Sequence, residues 1–135
     1  MDTGCIFCKI VAGKMPSSKI YEDNHTVAVL DIFPACPGHT LVIPKDHHAD
    51  FFDTPAATLA HVAHASKKVA HRLREALGVD SVNIINNSGA NAGQVVFHLH
   101  FHVVPRSAGD GLDFKLNRAK ADAKYLEEMS SRLKF

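Results

Sequence analysis

The chain contains no tryptophan and only three cysteines in 135 residues. So few thiols exclude the disulfide framework that staples small exported domains. Neither sign of charge is in excess. Fifteen Lys and Arg against fourteen Asp and Glu leave a formal net charge of +1. Charge-driven binding to nucleic acid or to a membrane surface is therefore not expected, and an anionic ligand has to be held by local geometry. No apolar run approaches membrane-spanning length. Met1-Asp2-Thr3-Gly4 lacks the basic start and following apolar segment of a signal peptide, which makes the cytosol the expected compartment. Internal repeats, low-complexity tracts and a second-domain boundary are also missing. What remains is a chain with 46% hydrophobic residues, enough for one domain with a single core, and ten histidines.

Taken in order, Cys5-Ile6-Phe7-Cys8-Lys9-Ile10-Val11-Ala12 sets Ile6 with Ile10 and Phe7 with Val11 at helical spacing. Gly13 supplies a stop, so a short N-terminal helix is predicted. Ile20 and Tyr21 read as an edge strand. Val27 to Ile32 reads as a strand entering a Pro- and Gly-rich loop, and His39 to Ile43 as another, stopped by Pro44. Thr54-Pro55 offers a hydroxyl N-cap followed by proline at the first helical position. Leu59, Val62, Ser66, Val69, Leu73 and Leu77 then recur at threes and fours up to Gly78, predicting one long amphipathic helix over 55–77. Its other face, with His61, His64, Lys67, Lys68, His71, Arg72 and Arg74, reads as solvated. Ser81 to Asn86 is a further strand, and Asn87 to Gly93 a loop. In the tail, 107–135, a C-terminal helix after Asn117 can align Ala121, Tyr125, Met129 and Leu133. Strands joined by short connections, with helices kept apart from them, predict an α+β fold built on an antiparallel sheet of about five strands.

The most informative stretch is Gln94-Val95-Val96-Phe97-His98-Leu99-His100-Phe101-His102-Val103-Val104-Pro105. It alternates with period two, so an extended strand would bury Val95, Phe97, Leu99, Phe101 and Val103 on one face. The other face would show His98, His100 and His102 in a row, roughly 6.5–7 Å apart. Pro105 is expected to end the strand. A neutral imidazole at position 100 has a lone pair that can attack phosphorus and carry the transferred group covalently. The surroundings contain no carboxylate on this strand to repel phosphate. Asn87 can donate from its amide, and the glycines before the strand expose backbone N–H groups. Cys5-x-x-Cys8 reads as a metal or redox pair, and Cys36 as a loop thiol.

His98-Leu99-His100-Phe101-His102-Val103-Val104, together with Asn87, Gly93, Gln94, Asp31, His39 and the Cys5–Cys8 pair, resembles the histidine triad (HIT) superfamily of nucleotide hydrolases and transferases. The resemblance covers most of residues 5–106. It implies an α+β fold whose sheets pair as a homodimer. It also implies an enzyme that cleaves or transfers a nucleoside monophosphate, most simply adenylyl, without an organic cofactor. Under it His100 is the nucleophile, and His102 and His39 are flanking imidazoles at the phosphate oxygens. Asn87 and Gln94 position the α-phosphate and the bridging atom, Asp31 takes the ribose hydroxyls, and Ile6, Phe7, Ile10 and Ile32 line a slot for a purine base. Taken singly, these apolar residues would read as core and Asn87 or Asp31 as turn residues. Val95 departs from the pattern, since many relatives carry Ser or Thr there. A zinc-containing branch of the superfamily implies a structural zinc on Cys5, Cys8, His98 and a histidine of the 45–48 loop, His47 or its neighbour His48. Two alternatives stand beside this reading. One is a zinc hydrolase with His98, His100 and His102 as ligands; the other is a nucleotide-binding protein without turnover.

Overall fold

A computed structural model describes residues 4–135; Met1, Asp2 and Thr3, on which the signal-peptide reading partly rests, lie outside the described residues. The elements run α1 (Ile6–Val11), β1 (Lys19–Glu22), β2 (Thr26–Leu30), β3 (Thr40–Pro44), α2 (Ala56–Leu77), β4 (Ser81–Ile85), a 3-10 turn (Ala90–Ala92), β5 (Phe101–Arg106) and α3 (Ala123–Leu133). The strands form one five-stranded sheet in the order β1-β2-β3-β5-β4, with every pair antiparallel. The expected fold class is thus observed. No helix among the described residues is long and apolar enough to cross a membrane.

Both faces of the central strands are covered, which is why β2 and β3 read as nearly continuous apolar runs. Ala28 and Val42 join Val62, Ala65, Val69, Leu73, Leu99 and Val103 in a core beneath α2. Their neighbours Val27, Val29, Leu41 and Ile43 turn the other way and pack with Cys5, Phe7 and Cys8 of the α1 region. At six residues, α1 is too short to persist alone and depends on this burial. Helix α2 begins one residue later than predicted. Pro55 is its N-cap, and the Thr54 hydroxyl donates to the Asp50 carbonyl at 2.6 Å instead of capping. Gly78 closes it at φ 68°, the left-handed cap predicted for it.

Three expectations are corrected. The histidine stretch is not one strand: only Phe101–Arg106 is paired, and residues 94–100 are irregular. The ladder stops because side chains take over the backbone partners on both flanks. Pro44 has no N–H to give, and its carbonyl is held by the His98 ring at 2.8 Å; on the other side the Asn86 amide donates to the His100 carbonyl at 3.1 Å. As a result Val95 and Phe97 are exposed, not buried. Pro105 lies within β5 rather than ending it. Its carbonyl accepts from Cys36, beyond the last β3 pair at Thr40–Val103, so no ladder donor is lost there. In the tail the expected helix is present as α3, but it starts at Ala123, so Ala121 falls before it; none of its residues is buried.

Candidate functional site

A cavity of about 390 Å³ opens on the α1 face of the sheet. Ile6, Phe7 and Ile10 form its apolar wall, Asp31 and Ile32 one rim, and Asn87, Gly93, Val95 and Val96 the other. His100 and His102 close its polar end. The sheet explains the placement: His102 pairs with Leu41, whose side chain packs on the α1 side.

The hydrogen bonds around the imidazoles assign their protons. Nδ1 of His100 lies 2.8 Å from the His98 carbonyl, which can only accept, so Nδ1 carries the hydrogen. The lone pair of a neutral His100 is then on Nε2. Nδ1 of His39 accepts the backbone N–H of Ala35 at 3.0 Å, which places the His39 proton on Nε2. That Nε2–H donates to Nδ1 of His102 at 2.9 Å. His102 in turn keeps its own proton on Nε2. Burial pushes His102 down to about 4, aided by His100 and His39, and it lowers His39 and His100 as well against the pull of Asp31. All three rings are therefore neutral at pH 7. Asp31 Oδ2 stands 3.5 Å from His39 Nε2, while Oδ1 accepts the N–H of Phe33 at 2.8 Å.

His98 belongs to a second group. It is fully buried, donates from Nε2 to Pro44, and turns Nδ1 towards Cys5 Sγ at 3.4 Å, Cys8 Sγ at 3.6 Å and His47 Nδ1 at 3.2 Å. His47 Nδ1 is also 3.3 Å from Cys8 Sγ. The four ligand atoms lie within 4.8 Å of one another. A tetrahedral zinc ion needs N–N separations of about 3.3 Å and N–S separations of about 3.5 Å, which this donor set meets. His48 is not among the four; its carbonyl accepts the N–H of Leu99 at 2.7 Å.

Residues 12–109 match the family profile of the HIT domain. The chain belongs to the HIT family. SMU.412c of Streptococcus mutans superposes with a TM-score of 0.94 at 42% identity, over 98% of this chain and 85% of that one. A zinc-bound histidine triad family protein of Mycobacterium smegmatis gives a TM-score of 0.79 at 45% identity, over 96% and 88%. Arabidopsis thaliana adenylylsulfatase HINT3 is 39% identical over 112 residues, 83% of this chain and 57% of its own length.

In this HIT protein ten of the residues that the sequence marks line the cavity: Ile6, Phe7, Ile10, Asp31, Ile32, Asn87, Gly93, Val95, His100 and His102. His39 stands behind His102. Gln94 is placed differently. Its side chain is buried, donating to the carbonyls of Ala49 and Val96 and accepting from Gly89 N–H, so it clamps the loop rather than facing the cavity. Met15, Pro16, Ser17 and Phe33 also line the cavity, and no motif marks them. Their only sequence signal is position, in the turns that follow α1 and β2. The rival arrangement with His98, His100 and His102 around one metal is contradicted, because the ring nitrogens of His98 and His100 are directed to different partners and no such group of three converges among the described residues.

Proposed function

We propose that this HIT protein releases a nucleoside monophosphate from a phosphoramidate, mixed anhydride or dinucleoside polyphosphate by way of a nucleotidyl-histidine on His100. The observation that carries the reading is the hydrogen bond from His100 Nδ1 to the His98 carbonyl, which leaves the Nε2 lone pair for the polar end of the cavity. In the first step Nε2 attacks the α-phosphorus; a P–N bond forms, the bond to the leaving group breaks, and the leaving group departs with that electron pair, an amine taking up a proton from solvent as it leaves. In the second, water attacks the same phosphorus, the P–N bond breaks, and its electrons return to Nε2 while the water proton passes to solvent. His102 presents Nε2–H to a phosphate oxygen and Asn87 its amide, donors suited to the charge that builds on those oxygens. Neutral His102 acts as a hydrogen-bond donor, not as a proton source. Valine at 95 offers no hydroxyl to the leaving group either, which favours leaving groups that take their proton from solvent or need none.

The apolar wall of Ile6, Phe7 and Ile10 suits a purine ring, and Asp31, at the rim, a ribose diol; adenosine is the proposed nucleoside. Cys5, Cys8, His47 and His98 would hold a zinc ion whose part is structural, tying α1 to the loop after β3 and to the segment before β5. The active unit is proposed to be a cytoplasmic homodimer. Incubation with adenosine 5′-phosphoramidate and assay for AMP tests the activity. Wild-type protein should turn over and His100→Ala should lose at least a thousandfold; an equally active His100→Ala protein would refute the role of His100. Binding of AMP with every such substrate left intact would instead identify a binding protein without turnover.

A further inference from the structure

Cys5 and Cys8 have a chemistry that the structural role of a zinc site does not use. Cys5 is the N-cap of α1, and its Sγ accepts the N–H of Cys8 at 3.4 Å, so both side chains sit over the same first turn. Neither is in a disulfide, and their sulfur atoms lie within 4.8 Å of each other. Their exposures differ: Cys5 is 9% accessible and Cys8 only 1%. Both are buried, Cys5 the less deeply, and a sulfur with a second thiol one turn behind it is placed for its oxidised form to be resolved by its neighbour.

We propose that this pair is a peroxide-modified site: oxidation closes a Cys5–Cys8 disulfide, expels the zinc and weakens the nucleotide cavity. The proposal rests on the zinc and nucleotide readings above. The steps balance. The Cys5 thiolate attacks one peroxide oxygen, the O–O bond breaks, and sulfenic acid and hydroxide result. The Cys8 thiolate then attacks the Cys5 sulfur, the S–S bond forms, and a second hydroxide leaves. Two electrons pass from the thiolates to one hydrogen peroxide, and the metal ion departs as Zn²⁺ because two of its four ligands are gone. His47 and His98 alone cannot complete a closed tetrahedral site. Loss of the ion unties α1, a six-residue helix that carries Ile6, Phe7 and Ile10 into the cavity wall. His98 keeps its bond to Pro44, so the damage is directed at the base wall more than at His100.

The test treats the full chain, in a Cys36→Ser background that removes the third thiol, with hydrogen peroxide. Zinc release is followed with a chromogenic chelator, the thiols by intact mass and peptide mapping, and AMP affinity by calorimetry. The expected result is one zinc released per Cys5–Cys8 disulfide and an AMP affinity at least tenfold weaker, both restored by dithiothreitol and zinc. Separate sulfinic acids on the two cysteines, or a disulfide that leaves AMP affinity unchanged, would overturn the proposal. Protein that carries no zinc as purified but forms the Cys5–Cys8 bond would refute the zinc reading while upholding the modification site. Protein that does not bind AMP even when reduced and zinc-loaded would refute the nucleotide reading and with it the proposed consequence of oxidation.

Discussion

The backbone of His98 holds His100 while its ring faces the cysteines. Its carbonyl accepts Nδ1–H of His100 at 2.8 Å, and its own Nδ1 is 3.4 Å from Cys5 Sγ. The two roles are separable because one uses the main chain and the other the side chain. His98→Ala should keep the carbonyl but lose the ring, which is fully buried. Bound zinc should fall below half an equivalent, and stability by about 2–4 kcal/mol from the cavity and the orphaned Pro44 carbonyl. Metal analysis and denaturant unfolding check both. Undiminished zinc would remove His98 from the ligand set.

The neutral pair His39 and His102 gives the protein an acid-sensitive site. Burial holds His102 at about 4, below the ordinary 6.5, and lowers His39 too. The unfolded chain therefore binds more protons than the folded one in this window, so stability is fully present above pH 6.5 and is lost as pH falls towards 4. The melting temperature should decline across that interval, and His102→Gln should flatten the decline. A profile unchanged by the substitution would contradict the neutral assignment.

Gly38 precedes His39 at φ 91°, a conformation side chains rarely adopt. A Cβ there would meet Leu77 Cδ1 at 2.7 Å and Leu73 Cδ2 at 3.1 Å. Gly38→Ala should cost about 1–3 kcal/mol through strain and crowding against α2. Thermal unfolding would show it, and an unchanged midpoint would mean that the loop yields freely.

Much of this was legible in the residues, for identifiable reasons. Helix α2 and strands β2 to β4 carry their periods openly, and His98, His100 and His102 with Cys5 and Cys8 mark two chemical centres by type and spacing. The break at residue 100 was hidden because it comes from partners distant in sequence: Pro44 and Asn86 replace ladder bonds with side-chain bonds, which alternation cannot register. The clamp made by Gln94 was hidden for the same reason, since Ala49 joins the segment only in three dimensions. The proton assignments needed Ala35, a residue with no side-chain chemistry at all. Helix α3 followed its own local signals, with Asp122 capping the N–H of Tyr125, but none of its residues is buried.

The central claim is a covalent bond to one ring nitrogen. Protein mixed with an α-³²P-labelled adenosine phosphoramidate, stopped within milliseconds by an alkaline denaturant that spares P–N bonds, can be digested and its labelled peptide sequenced. The label should sit on His100 and disappear as AMP accumulates. Label on any other side chain, or AMP formed at full rate with no labelled protein at any quench time, would contradict the mechanism.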